Sequence, residues 1–130
     1  MKILVGYNRT KASANALSLA REHALFFNAR VLVVTSMEGG SSETFEQIAG
    51  VDKSLDEAGR FMKEKGVECE THQLARGMTP GEDLVRFAAE NEIDLIFVGV
   101  RKKSRTQKII LGSTAQFIIL KAPCPVTTVK

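Results

Sequence analysis

Short, continuous apolar runs alternate along this chain with longer stretches in which apolar residues recur every three or four positions. Ile3-Leu4-Val5, Val31-Leu32-Val33-Val34 and Leu95-Ile96-Phe97-Val98 lack a polar alternation, as expected of strands buried on both faces of a parallel sheet. Residues 2–7, 30–35 and 94–99 are therefore predicted as strands, the second favoured by its β-branched residues. Residues 67–74 alternate well enough for another. Pro123-Cys124-Pro125 forces an extended approach to a last one, Val126-Thr127-Thr128-Val129. The intervening stretches read as helices. Residues 11–27 carry Ala12, Leu17, Ala20, Ala24 and Phe27 at helical spacing, and residues 43–65 carry Phe45, Ile48, Val51, Leu55, Ala58 and Met62. Gly50 and Gly59 weaken the second helix and Gly66 suits its stop, while Gly39-Gly40-Ser41-Ser42 marks the connection before it. Thr79-Pro80-Gly81-Glu82 supplies a cap residue, a proline at the first helical position and an acid at the third, ahead of Leu84, Val85, Phe87 and Ala88. That helix stops near Asn91, and the last runs from about residue 114 to 121.

Strands and helices alternate throughout, which implies right-handed parallel crossovers and an α/β doubly wound sheet with helices on both faces. Such a sheet binds ligands where the strand order reverses, in the crevice beyond the carboxyl ends of the strands. The 130 residues, 44% hydrophobic and 25% charged, suit one domain over 1–130 with a real core. The apolar runs fall far short of the ~20 residues that cross a bilayer. Met1-Lys2 leads straight into a strand, so a cytoplasmic location is expected. Cys69 and Cys124 lie outside any CxxC spacing and suggest neither a disulfide scaffold nor a zinc site.

A formal charge of +3 is mild for a nucleic-acid binder. Its distribution is more informative. Four of the six residues after Gly99 are basic (Arg101, Lys102, Lys103, Arg105), Lys108 follows, and Gly112-Ser113-Thr114 then opens a segment whose Phe117, Ile118 and Leu120 can face a core. A charge run alone is commonly just a solvated loop. Placed after a buried strand and before a helix, it reads as a phosphate loop. Ser113 with Gln116 three positions on is predicted to form a capping box, and the first-turn N–H groups of the helix attract an anion.

The spacing Gly99, two residues, Lys102, nine residues, Gly112-Ser113 resembles the nucleotide loop of the universal stress proteins, G-x2-G-x9-G-(S/T), with Lys102 in place of the second glycine. Residues 3–10 with Ser13 and Ala16-Leu17, the segments 77–80 and 93–99, and Ala122-Pro123-Cys124-Pro125-Val126 are similar to that family as well, so the resemblance covers nearly the whole chain. It implies an adenine nucleotide alpha hydrolase-like fold with five strands in the order 3-2-1-4-5. The order reverses between the first and fourth strands, so Asn8 and the basic loop form opposite lips of one crevice. It further implies that Gly6 and Tyr7 border an adenosine, that Asn8 stands where the family has an aspartate near the phosphates, and that Ser36 offers backbone groups to the adenine edge. Gly99 and Arg101 would line the ribose and phosphate path. Lys102 would supply a point charge in place of a closely approaching backbone. Gly112, Ser113 and Thr114 would present N–H groups and hydroxyls to the phosphates. ATP or AMP is the implied ligand. With Asn8 replacing a carboxylate, Mg2+ would be held only through phosphates and water.

Catalysis has little support in the sequence. It holds neither a GxxxxGK(S/T) segment nor a GxGxxG at the first helix, and no residue stands out as positioning an attacking water, so hydrolysis would at most be slow. His23 and His72 lack partners at motif spacing and read as structural, and Glu82-Asp83 reads as a pair stabilising a helix dipole. Three functions remain: an adenine-nucleotide-binding regulator whose ligand orders the 100–111 loop, a dimeric interaction module without a nucleotide, and a nucleic-acid backbone binder using residues 101–108. The absence of an aromatic residue from that loop counts against single-strand stacking. Val126, Thr127, Thr128 and Val129 form a short edge strand with no charge before Lys130, and a homodimer pairing through them is expected, as is typical of the resembled family.

Overall fold

The computed structural model describes residues 1–38, 44–101 and 111–130. The chain alternates as β1 (Lys2–Gly6), α1 (Lys11–Phe27), β2 (Arg30–Met37), α2 (Phe45–Lys63), β3 (Cys69–Ala75), α3 (Pro80–Glu90), β4 (Leu95–Gly99), α4 (Ser113–Lys121) and β5 (Val126–Val129). All pairings are parallel, in the order β3-β2-β1-β4-β5. The predicted connection at Gly39-Gly40-Ser41-Ser42 and the basic residues Lys102, Lys103, Arg105 and Lys108 lie outside the described residues.

The period of two sorts the strand residues between two cores. Ile3, Val5, Val31, Val33 and Phe97 face α1 and α2, whereas Leu4, Leu32, Val34, Ile96 and Val98 face α3 and α4. The continuous apolar runs follow directly from this, since both faces are covered. Several strand boundaries differ from expectation by a residue or two. Tyr7 lies past the end of β1, its N–H donating to Val34 O at 2.9 Å, β3 is shifted towards Ala75, and β2 runs on to Met37.

Several apolar positions predicted to face the core do not. Phe45 is 92% exposed and Leu120 78%, and Ile48 and Phe27 also face solvent. Burial in α2 begins only at Val51, so its first turns extend beyond the sheet that the rest of the helix covers. Thr44 caps α2 with a reciprocal bond pair to Gln47, a T-x-x-Q box. The box predicted at Ser113 is not formed. Gly112 is the N-cap of α4, and the Gln116 side chain donates to Leu111 O at 2.8 Å instead of accepting from the cap N–H. Thr79 and Pro80 start α3 as predicted, but the Thr79 hydroxyl makes no capping bond.

Candidate functional site

β1 and β4 are neighbours, and the helices that come after them pack on opposite faces of the sheet, α1 on one and α4 on the other. The crevice between them is a cavity of about 670 Å³. Of the residues singled out in the sequence, Gly6, Tyr7, Asn8, Ser36, Gly99, Arg101, Gly112, Ser113 and Thr114 all line it. Lys102 lies outside the described residues. The lining residues missed by the sequence reading are mostly apolar, among them Val34, Pro80, Leu84 and Val98, together with Thr35 and Ala115. They come from the ends of strands and the first turns of α3 and α4.

One end of the cavity is built of donors. Gly112 caps α4 through its backbone alone, and the first intrahelical bond runs from Gln116 N–H to Gly112 O at 3.0 Å. The N–H groups of Ser113, Thr114 and Ala115 thus have no intrahelical partner, and they carry the positive end of the helix dipole. Arg101, exposed on the same rim, adds a full positive charge. Asn8 opposite is turned by its own loop. Its Oδ1 accepts from the Thr10 hydroxyl at 2.7 Å and from Thr10 N–H at 3.3 Å, which directs its amide nitrogen elsewhere. The Asn8 oxygen is therefore committed to the protein, and the group left for a ligand is a donor. Thr10 in turn caps α1, accepting from Ser13 N–H at 3.1 Å. The close approach of α1 to β4 needs Gly99, where a Cβ would lie 2.5 Å from Ser13 N.

The other end is walled by β2. Its register with β1 stops at Gly6 opposite Val34, so from Thr35 onward β2 pairs only with β3 and its β1 side faces the cavity. Val34, Leu84 and Pro80 make this part apolar. Its two hydroxyls donate inward: Thr35 Oγ1 to Tyr7 O at 2.6 Å, and Ser36 Oγ to Asp83 Oδ2 at 2.7 Å. Asp83 stands in the first turn of α3, as its helix-dipole reading requires, and is in addition wholly buried. Its other oxygen accepts from Arg76 Nε at 2.6 Å, and Arg76 also reaches Glu90 at 2.7 Å. Bonding to Glu90 and Asp83 raises the Arg76 pKa further above its ordinary value against the opposing effect of burial. Gly77, at φ 72°, turns the chain between Arg76 and α3.

The histidines stand away from the cavity. His23 packs its ring on Phe97 at 5.0 Å and bonds Leu19 O, while His72 sits against Phe87 and Glu70. Among the described residues, no cluster of His, Cys, Asp and Glu is placed to hold a metal, and no helix is long and apolar enough to cross a membrane.

The sequence profile of the universal stress protein family matches residues 1–130. The chain belongs to that family. A universal stress protein of Thermus aquaticus is 30% identical over 135 residues, covering 98% of this chain and 97% of its own. The structure of a universal stress protein from Archaeoglobus fulgidus superposes with a TM-score of 0.90 at 35% identity, covering 100% of this chain and 93% of that one. A second Archaeoglobus fulgidus universal stress protein, solved in complex with dAMP, gives a TM-score of 0.84 at 31% identity over 99% and 96% of the two chains. The sheet order and the four helices are those of the adenine nucleotide alpha hydrolase-like fold.

Proposed function

We propose that the crevice between β1 and β4 binds an adenine nucleotide, ATP or AMP, and that the protein is a small cytoplasmic regulator rather than an enzyme. The observation that carries this reading is the chemical division of one cavity. First-turn helix N–H groups without an intrahelical partner and Arg101 suit phosphates at one end, and an apolar wall with a strand edge that β1 does not cover suits a base at the other. The relative that binds dAMP supports the same ligand class. Phosphates lie at Gly112, Ser113 and Thr114, with the Asn8 amide donating across the crevice. The base lies against Val34, Ser36 and Leu84, with Gly6 and Tyr7 beside the sugar and Gly99 and Arg101 along the path. Mg2+ enters bound to the phosphates and water, because the Asn8 oxygen already serves Thr10. Hydrolysis is slow at most. The free edge of β5, at Val126 to Val129, pairs with a second copy.

The test is the identity of any ligand released on denaturing the purified protein, followed by calorimetric titration of the stripped protein with ATP and AMP. Gly112→Val is the informative variant. Gly112 lines the cavity and a Cβ there meets no atom within 4 Å, so the added side chain alters the rim of the cavity without overpacking the core. An adenine nucleotide that binds the wild type and is lost from Gly112→Val supports the assignment. Absence of heat at millimolar ATP, or equal binding by the variant, overturns it.

A further inference from the structure

We propose that the outer edge of β3 takes up an extended peptide as a further strand, and that an acidic side chain of the peptide enters the groove between β3 and α2 beside Arg60 and Lys63. The surface is independent of the nucleotide reading, whose cavity lies between β1 and β4.

β3 ends the sheet on one side, with β2 as its one neighbour among the described strands. In a parallel pair the N–H and C=O of one residue point to the same side, and successive residues alternate. Val31 stands in register with Cys69, and its N–H donates to Glu68 O at 2.9 Å, which sets the phase. Glu70, His72 and Leu74 therefore turn their main-chain groups towards β2, and Cys69, Thr71, Gln73 and Ala75 turn theirs outward. Among the described residues these outward groups have no main-chain partner. The edge is 7 residues long, against 4 in β5, and it pairs with β2 along its whole length without a proline or a bulge. A long, regular edge of this kind accepts another strand, whose main chain supplies the hydrogen bonds.

The side chains beside the edge decide what kind of strand fits. Cys69 packs against the core under α1 and α2, so Thr71, two residues on, points to the same face. With α2 they enclose a groove of about 220 Å³, floored by Leu55 and Gly59. Gly59 keeps it open. A Cβ there would meet Thr71 Cγ2 at 3.5 Å, an ordinary contact, so packing does not demand a glycine at this point of the helix. Arg60 and Lys63 line the groove, and both are exposed. Among the described residues neither side chain is in an ion pair. Lys63 stands close enough to Cys69 to oppose the upward push of burial on its thiol. Asp56 is the one acid on the groove, so two cations face one carboxylate.

On an added strand, the side chain opposite Cys69 or Thr71 lies on their face of the sheet and enters this groove. A carboxylate there meets two cations, whereas a lysine or arginine is repelled. A second copy of the chain suits the groove less well. Paired edge to edge and antiparallel, its β3 would present Cys69, Thr71, Gln73 and Ala75 on that face, and none of them is acidic.

The probes are two capped seven-residue peptides of alternating threonine and valine, one with glutamate and one with lysine at the central position. Amide hydrogen exchange followed by NMR on the whole chain reads the contact. The glutamate peptide should slow exchange at Thr71 and Gln73, while His72 and Leu74, already bonded to β2, change little. At low salt it should bind about tenfold tighter than the lysine peptide, the difference between attraction and repulsion at two exposed cations. The double variant Arg60→Glu, Lys63→Glu, altered only on the exposed face of α2, should reverse that order. Tighter binding of the lysine peptide is a gain that loss of structure cannot produce. Equal binding of the two peptides by the wild type, or no slowing at Thr71 and Gln73 at millimolar peptide, overturns the proposal. Slowing at these amides without peptide, as protein concentration rises, assigns the edge to a second copy and overturns it as well. None of these results bears on the nucleotide site.

Discussion

Replacing Gly99 with alanine should strain the joint between β4 and α1. The new Cβ would lie 2.5 Å from Ser13 N, 2.6 Å from the Ala12 carbonyl carbon and 2.9 Å from the Ala12 oxygen. Contacts between non-bonded heavy atoms are optimal at about 3.5–4.0 Å, so the first turn of α1 must withdraw by roughly 1 Å. The atoms in the way belong to the main chain, and no change of rotamer moves them aside. Overpacking of this kind costs about 1–3 kcal/mol. For a chain of this length each kcal/mol lowers Tm by roughly 3–5 °C, which gives a fall of roughly 3–15 °C. Gly112→Ala is the control. Gly112 has φ −65° and ψ 161°, open to any residue, and a Cβ there touches nothing within 4 Å. Its Tm should stay within about 2 °C of the wild type, because loss of a glycine N-cap is a small effect in a helix held by its packing. Thermal unfolding followed by circular dichroism at equal protein concentration makes the comparison. A Gly99→Ala protein that melts with the wild type would refute the claim that this contact fixes the start of α1, as would equal falls in the two variants.

Arg76→Ala should lower stability by about 2–4 kcal/mol, because among the described residues it leaves the buried Asp83 carboxylate with only the Ser36 hydroxyl as a side-chain partner, while Glu90→Ala should cost under about 1 kcal/mol since its carboxylate is half exposed. Guanidinium denaturation of both separates the two contributions, and equal costs would contradict the assignment. Burial pushes the Cys69 thiol up to about 11 from an ordinary 9.0, with Lys63 acting the other way, and burial chiefly raises Cys124 as well. The folded state thus favours the neutral thiol at Cys69. Its contribution to stability is present below pH 9 and is lost as pH rises through about 11. At pH 8 both thiols should react with a disulfide reagent far more slowly in the folded protein than in guanidinium, and a thiol reacting at the rate of free cysteine would contradict this. Thr128→Lys, on the exposed edge of β5, should yield monomers in sedimentation; unchanged dimers would place the contact between copies elsewhere.

The strands were legible because burial on two faces leaves so little room for polar residues that the runs stand out without periodicity. Helix faces were legible too, but helix burial was not. Period alone tells which side of α2 is apolar and says nothing of where the sheet beneath it ends, so Phe45 and Ile48 were placed in a core that begins at Val51. Ser113 and Gln116 have the spacing of a capping box, yet the same spacing lets Gln116 reach Leu111 O once the backbone of Gly112 takes the cap position. The site positions came from a resemblance of loop spacing, and nine of the ten line one cavity, the tenth being Lys102. The link from Arg76 through Asp83 to Ser36 had no sequence signal. Its members sit on a turn, a helix and a strand, and only the packing of α3 against β2 brings them together.

The donor end of the cavity consists of peptide groups, and peptide groups are indifferent to the side chains they carry. At positions 113, 114 and 115 every substitution except proline leaves the N–H in place, so amino-acid drift can alter the side chains at this end without erasing its donors. The β2 wall is different in kind, for the orientation of its Ser36 hydroxyl hangs on one carboxylate and one guanidinium. Divergence within such a framework would remodel the β2 wall long before it removed the donors at the start of α4.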